Sequence, residues 1–576
     1  MKKLPLGIQS LGEIVAEGYA YVDKTQYVFN LINDAKYYFL SRPRRFGKSL
    51  LLDTIAEAFS GNKELFKGLF LYDSGYDFKK HPVLRLDMSN ISNDTPEIMI
   101  NSLSTALKRR ACDENLDIVG NAPSEIFQFL IEDLYKKYGQ RVVVLIDEYD
   151  KPILDNIDNI EIAENIRKVL KGFYGILKSM DPFLRLTFIT GVTKFTKTSV
   201  FSGLNNLRDI TLTEKYSNIC GITLEDLDKY FNEYLEKLAS QGKFGDFGTL
   251  RDRILSWYDG YSWDGTTRVI NPFSLLYFFT EEKFSGFWYS SGTPKFLTDL
   301  IKKRQEGYTD IKNLEMGEWA LDTFDIQNIE VEALLFQTGY LTVKGILHEQ
   351  EPPVYLLDIP NYEVRIAFNL HILAEFTQKG GVYTETAHRR IKQSLKTGDL
   401  QSMLETFKGL FAAIPYQLHI AHEAYYHSIF YAIMNLLGFD IDSEVSVSGG
   451  RIDGVLELDD KVYVMEFKYE NCEPDAALET KRMLFEKSLS EGMKQIEDRG
   501  YYKKYLGSGK TIYKAAFAFL GRDDIDIITS VSSSTDLPNL LKRDTFDYTQ
   551  WHRTLREGQN IDEIHKAAAE HERNQR

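Results

Sequence analysis

Along the first 210 or so residues, short apolar runs alternate with stretches of helical period. The runs Tyr37–Leu40, Val83–Leu86, Val142–Ile146 and Leu184–Ile189 have strand length and composition. Amphipathic stretches such as Leu50–Phe59 and Ile162–Met180 fall between them. This alternation predicts an α/β domain built on a mostly parallel sheet. From about 220 to 345 the pattern becomes mainly helical, as in Leu224–Leu238 and Ile326–Phe336, with aromatic, glycine-bearing turns such as Trp257-Tyr258-Asp259-Gly260-Tyr261. Gly339–Val343, after an apolar helix, reads as the wing of a small winged-helix module. Gln350–Pro360 holds three prolines and reads as a connector, followed by helix at about 363–413. From about 420 a new module follows in the order helix, hairpin, helix, strand. The tail after Trp551 is polar.

The chain has 576 residues, which predicts roughly three or four domains. It is 43% hydrophobic and 27% charged, which excludes a mainly disordered chain. The net charge of −15 excludes an all-over basic coat for nucleic acid but leaves room for a local basic groove. Cys112, Cys220 and Cys472 are far apart and lack zinc-site or disulfide spacing. The N-terminus lacks a signal-peptide pattern, and no run is long enough for a membrane span. A soluble protein of the reducing cytoplasm is expected.

The run Tyr37–Leu40 leads through Ser41-Arg42-Pro43-Arg44-Arg45-Phe46-Gly47-Lys48-Ser49 into a helix. Strand, loop and helix in this order place backbone N–H groups where they cradle a phosphate. Gly47 would allow close approach, Lys48 would reach the β- and γ-phosphates, and Ser49 would ligate Mg²⁺. The full G-x-x-x-x-G-K-[ST] pattern fails, because Arg42 stands where it has its first glycine. The apolar run Val142–Ile146 ends in Asp147-Glu148. Asp147 would hold the Mg²⁺ shell and Glu148 would orient or deprotonate the attacking water. After Leu184–Ile189, Thr190, Thr193 and Lys194 are all candidates to lie beside the γ-phosphate.

Arg42–Ser49 and Leu145–Asp150, together with Tyr21–Thr25, Phe201–Asn206 and Trp257–Tyr261, resemble the AAA-ATPase-like domain of a prokaryotic family. The likeness is close over about 4–210 and looser to about 345. The phosphate loop of that family similarly reads Arg-Pro-Arg-Arg-Phe-Gly-Lys-Ser, so the missing glycine is a family trait. The resemblance implies ATP binding, with Arg44, Arg45 and Phe46 beside Gly47, Lys48 and Ser49. Arg44 and Arg45 are either phosphate-neutralising or solvated.

Further on, Glu444–Leu458 and Val462–Lys468 both alternate and read as strands joined by a turn. Period two puts Val464, Glu466 and Lys468 on one face and Tyr463, Met465 and Phe467 on the other. Asp453, on the neighbouring strand, would lie beside Glu466. Two carboxylates and an amine at a strand end suit metal-dependent phosphodiester hydrolysis. Asp453 and Glu466 would bind a hard cation and Lys468 would position water or stabilise the phosphorane. This arrangement resembles the PD-(D/E)XK nuclease superfamily over about 420–522. By that resemblance Glu423 is an accessory acid and Gln495 the polar residue of the following helix. Ile452 stands where the superfamily name has proline. The module holds roughly 15 basic against roughly 22 acidic residues, so tight unaided binding of duplex DNA is not expected. Lys108-Arg109-Arg110 reads as a solvated helix face, and the middle aromatics, including Phe287-Trp288-Tyr289, read mainly as core.

The expected fold is a multidomain α/β chain in five parts. These are a P-loop NTPase core (1–215), a helical, winged-helix-like region (216–345), a connector with helices (346–415), a restriction-endonuclease-like domain (416–545) and a polar tail (546–576). The expected function is an ATP-binding protein, an ATPase, coupled to a Mg²⁺-dependent nuclease acting on DNA or RNA. The alternatives are an ATP-operated switch whose C-terminal module binds without cutting, and an interaction protein with both sites inactive. Self-association or a protein partner stays open.

Overall fold

The computed structural model describes residues 1–194, 200–201, 203–288, 314–321, 330–347, 352–368, 381–412, 430, 442–447, 450–458, 460–473, 476–521 and 524–532. Its first sheet contains β1 (Tyr37–Ser41), β2 (Val83–Asp87), β3 (Val142–Asp147), β4 (Leu184–Gly191) and the short β5 (Arg208–Asp209). All pairs are parallel, in the order β2-β3-β4-β1-β5. The four strands read from the sequence are present, each slightly longer than its apolar run. Val142 to Ile146 are wholly buried, as a central parallel strand covered on both faces requires. The crossover helices are Lys48–Phe59, Pro96–Asp113, Pro123–Tyr138 and Ile160–Ser179. The register sets Leu40 beside Thr190 and Ile146 beside Ile189, so the ends of β1, β3 and β4 lie level along one edge of the sheet.

Three helices, Leu224–Ser240, Phe247–Tyr258 and Pro272–Glu281, form a second core around Leu227, Phe231, Tyr258 and Phe278. A three-stranded antiparallel sheet follows, ordered β6 (Leu314–Gly317), β8 (Val354–Asp358), β7 (Thr342–Leu347). The stretch read as a proline-rich connector therefore contains a strand. Pro352 and Pro353 precede it and Pro360 follows it, so no proline interrupts the ladder. The apolar helix before the wing-like segment spans Val331–Thr338, and Gly339 caps it in the left-handed conformation. This module is no outlying appendage: Val331, Leu334, Tyr340, Leu357 and Phe368 share a core with the parallel sheet. The middle aromatics are core too, with Tyr258, Tyr261, Trp263, Phe287 and Trp288 buried. Tyr289 lies outside the described residues.

Glu363 joins these parts. Its wholly buried carboxylate accepts from Ser274 Oγ (2.7 Å) and the Trp288 N–H (2.8 Å), and the Trp288 indole donates to the Arg44 carbonyl (3.3 Å). Burial pushes the Glu363 carboxyl up to about 7. The folded state thus keeps this proton where the unfolded chain has lost it, and stability falls as pH rises from the ordinary carboxylate range through about 7. Glu363→Gln is expected to remove about 3 kcal/mol of that pH dependence. Urea unfolding of both proteins at about pH 5 and about pH 8 checks this. An unchanged difference between the two pH values would count against it.

The last sheet is ordered β13 (Asp524–Ser532), β12 (Thr511–Leu520), β11 (Lys461–Glu470), β10 (Gly450–Glu457), β9 (Asp442–Val447). Only β11 and β12 pair in parallel. The run read as one strand from Glu444 to Leu458 is two, β9 and β10, folded back on each other. Val445 and Val447 are out of phase with Ile452, and Gly449-Gly450 between them marks the reversal in the sequence. The helices Gly381–Thr397 and Leu400–Ala412 cover one face, where Ile391, Leu404, Phe407 and Phe411 meet Met465, Phe467, Phe517 and Phe519. Helix Leu478–Arg499 covers the other, with Ile496 against Val455, Val462 and Val464.

Candidate functional site

At the first sheet edge, β1 runs into the loop 42–47 and then into helix Lys48–Phe59, whose N-cap Gly47 has φ 88°. Arg42 keeps the strand ladder going, its N–H donating to the Gly191 carbonyl. Positive φ is taken by Arg45 and Gly47 instead, so position 42 has no conformational need of glycine. The Arg42 side chain turns away from the loop mouth. Its buried guanidinium donates to the carbonyls of Ser41 and Thr211 (2.9 Å each), Tyr216 (3.2 Å) and Ser217 (3.4 Å), and lies 3.8 Å from the Trp263 ring centroid. Arg42→Gly, which would restore the common pattern, is therefore expected to cost about 3 kcal/mol of stability and repair nothing. Urea unfolding measures this; unchanged stability would contradict it.

Lys48 is buried, and its ammonium donates to the carbonyls of Arg42 (2.9 Å) and Pro43 (3.0 Å). Burial lowers its pKa, while Asp147, Glu148 and Asp150 favour the charged form. The Ser49 hydroxyl donates to Asp147 Oδ2 at 2.6 Å. Glu148 follows with φ 49°, a left-handed turn that sends the chain back beneath β4. Burial raises the Glu148 pKa, opposed by Lys48 and, more weakly, by Arg44. The Tyr149 N–H donates to the Thr190 carbonyl, and Asp150 accepts from Val192 N (3.1 Å) and from Thr193 N and Oγ1 (2.6 Å each). Gly191 has to be small here, because a Cβ would stand 2.5 Å from Asp150 Oδ1.

The three polar candidates after β4 differ. Thr193 is engaged by Asp150, and Lys194 pairs with Asp209 at 3.0 Å. The Thr190 hydroxyl is wholly buried with no hydrogen-bond partner among the described residues. Arg44 is half-buried, and Arg45 is exposed with its guanidinium 4.7 Å from the Phe273 ring. The Phe46 ring is packed against Tyr261 and Trp263.

At the second site, Gly454 opposite Met465 sets Asp453 across from Glu466. Asp453 Oδ2 accepts the Phe467 N–H (2.9 Å), and Lys468 Nζ donates to Glu466 Oε1 (3.0 Å). Glu466 is wholly buried, and its Oε2 has no hydrogen-bond partner among the described residues. Burial, then the charge of Asp453, pushes its carboxyl up to about 7, opposed by Lys468. The faces fall as the period-two reading has them: Tyr463, Met465 and Phe467 in one core, Val464 in the other. Gln495 is half-buried on helix Leu478–Arg499; Glu423 lies outside the described residues. Among the described residues no three His, Cys, Asp or Glu side chains form a metal cage. The donor chemistry nonetheless fits a hard cation, with two carboxylates and a buried, unpartnered oxygen.

Residues 5–201 match the family described as Predicted AAA-ATPase, and residues 421–527 match the PD-(D/E)XK nuclease superfamily. A relative described as "Uncharacterized protein in vnfD 5'region", from Azotobacter chroococcum mcd 1, is 36% identical over 549 residues, covering 92% of this chain and 99% of its own. The chain belongs to a family of predicted AAA-ATPases that carry a PD-(D/E)XK nuclease-superfamily domain.

Sequence reasoning missed one element of the AAA-ATPase-like part. A cavity of about 110 Å³ opens beside Gly47. Its lining is almost wholly apolar and includes Tyr21, Val22, Phe46, Ile222, Pro272 and Leu276. These residues come from the N-terminal segment, the phosphate loop and the helical region, so no local motif announces them. Lys24, the polar side chain on its wall, is paired with Asp226 at 2.7 Å. Among the described residues no helix is long and apolar enough to cross a membrane.

Proposed function

We propose that this chain hydrolyses ATP in its AAA-ATPase-like domain and uses the nucleotide state to govern a metal-dependent nuclease in its PD-(D/E)XK domain. The observation that carries the reading is the meeting of Lys48, Ser49, Asp147 and Glu148 at one sheet edge, beside an apolar cavity suited to a base. Gly47 and the helix N-terminus would receive the β- and γ-phosphates. Lys48 would leave the loop carbonyls for phosphate oxygens. Ser49 and Asp147 would hold Mg²⁺ at the first site, and Asp453 and Glu466 at the second. Bound at either site, the cation would supply Lewis acidity and lower the pKa of its water. Glu148, whose pKa burial raises above the ordinary carboxylate value, suits the acceptance of a proton from water. Thr190, with its uncommitted hydroxyl, is the polar group favoured to orient that water or the γ-phosphate. At the second site Lys468, already directed by Glu466, would hold the attacking water or the phosphorane oxygens.

A second reading, a nucleotide-operated switch that binds without cutting, draws support from one contact. Gly339 leaves room for Pro43 of the phosphate loop, where a Cβ would come within 2.8 Å. The loop therefore presses on the module that precedes the nuclease helices. Phosphate release and Mg²⁺-dependent nicking measured in parallel separate the two readings. ATP binding with neither activity favours the switch.

A further inference from the structure

The PD-(D/E)XK domain is acidic overall, but its cations are unevenly placed. Helix Leu478–Arg499 lies close over the face bearing Glu466: a Cβ on Gly492 would stand 2.9 Å from Ala516 Cβ, 3.6 Å from Lys468 Cγ and 3.8 Å from Glu466 Cγ. Arg499 is two turns on, roughly 20° round from Gly492, and a helical side chain leans back toward its own N-terminus. It therefore reaches toward the carboxylates. Its Nη1 donates to the Tyr501 hydroxyl at 2.9 Å, and the charges of Glu466 and Asp453 act on it.

Beyond Arg499 the chain turns at Gly500 (φ 58°). Tyr501 and Tyr502 then plug into the core formed by Val455, Val462, Val464, Ile496 and Ile512, which leaves Lys503 and Lys504 exposed. Among the described residues, several acids of this face already hold other cations. Glu497 takes Lys514 and the Tyr502 hydroxyl, Glu457 takes Lys510, and Asp460 takes Lys461. Asp498 is exposed but projects about 100° round the helix from Arg499.

We propose that Arg499, Lys503 and Lys504 form the track for the sugar–phosphate backbone of a nucleic-acid strand whose scissile phosphate lies at Asp453 and Glu466. The inference rests on the nuclease reading. It gives an acidic domain a local place to hold a polyanion, with the tyrosines fixing the cations rather than stacking bases.

The test is binding of a fluorescein-labelled single strand and its duplex to the full chain in EDTA, where metal-dependent cleavage cannot proceed, over a range of salt. The triple variant R499A/K503A/K504A is expected to bind about tenfold to a hundredfold more weakly, with the salt slope reduced by about 2 on single strands. R499K/K503R/K504R is expected to match wild type in both. A purely structural role would leave the salt slope unmoved. Wild-type binding with an unchanged slope in the alanine variant overturns the track and leaves the nuclease reading standing. Absence of binding and of Mg²⁺-dependent cleavage in the wild type overturns both.

Discussion

Lys48→Ala is expected to lower ATP turnover by about a thousandfold, because neither Arg42 nor Arg45 of the loop is placed to substitute for it. The nearest rival, Arg42, has four carbonyls and an indole as partners and faces away. Arg45 is exposed against Phe273. The loss should therefore not be rescued by either of these arginines. Asp147, Glu148 and Asp150 favour the charged form of the buried Lys48, so its removal weakens the counter-charge on those acids and leaves Glu148 only the weaker field of Arg44. Glu148→Gln provides the contrast: ATP binding retained and turnover lost. Phosphate release together with nucleotide binding by fluorescence checks both. Wild-type turnover in the alanine variant would end the phosphate-loop reading.

Asp453→Asn is expected to abolish Mg²⁺-dependent cleavage, a fall of at least a thousandfold, while ATP binding stays as in wild type. Asp453 supplies one of the two carboxylates, and its other oxygen is fixed by the Phe467 N–H, which keeps it in place beside Glu466. The pH dependence follows from Glu466. Its carboxyl holds a proton up to about 7, so a cation must displace that proton. Cation binding should then strengthen as pH rises through that value and weaken below it. Calorimetric titration with Mg²⁺ or Mn²⁺ at several pH values measures this. Undiminished cleavage by Asp453→Asn would remove the site assignment, whatever the wild type cuts.

Much of this was legible in the residues. Val142 to Ile146 announced a central strand because burial on both faces leaves no room for polar alternation. Asp147 and Glu148 stood out as candidates because they end such a strand in a chain that also carries Gly47-Lys48-Ser49 between a strand and a helix. Period two set Glu466 and Lys468 on one face, while their role with Asp453 came only from the order of elements and the resemblance it carries. What escaped is long-range. The partners of Arg42 lie at Thr211, Tyr216, Ser217 and Trp263, and no loop pattern reveals a cation anchored so far along the chain. The helices from Gly381 to Ala412 showed amphipathic faces but not which sheet covers them, so they read as connector although they share a core with Phe467 and Phe517. The fold-back between β9 and β10 escaped because the reading of Glu444 to Leu458 as one alternating run passes over the phase slip at Gly449-Gly450.

The stacking of Arg42 on Trp263 also constrains how this chain can diverge. Glycine at 42 strips donors from four carbonyls, and loss of the indole leaves a buried guanidinium without its face. Either single step gives a less stable protein, and once one is made the other costs less, because the stacking contact is already gone. The two positions are therefore epistatic and should be inherited as a pair. A relative with glycine at position 42 is expected to carry a residue other than tryptophan at position 263.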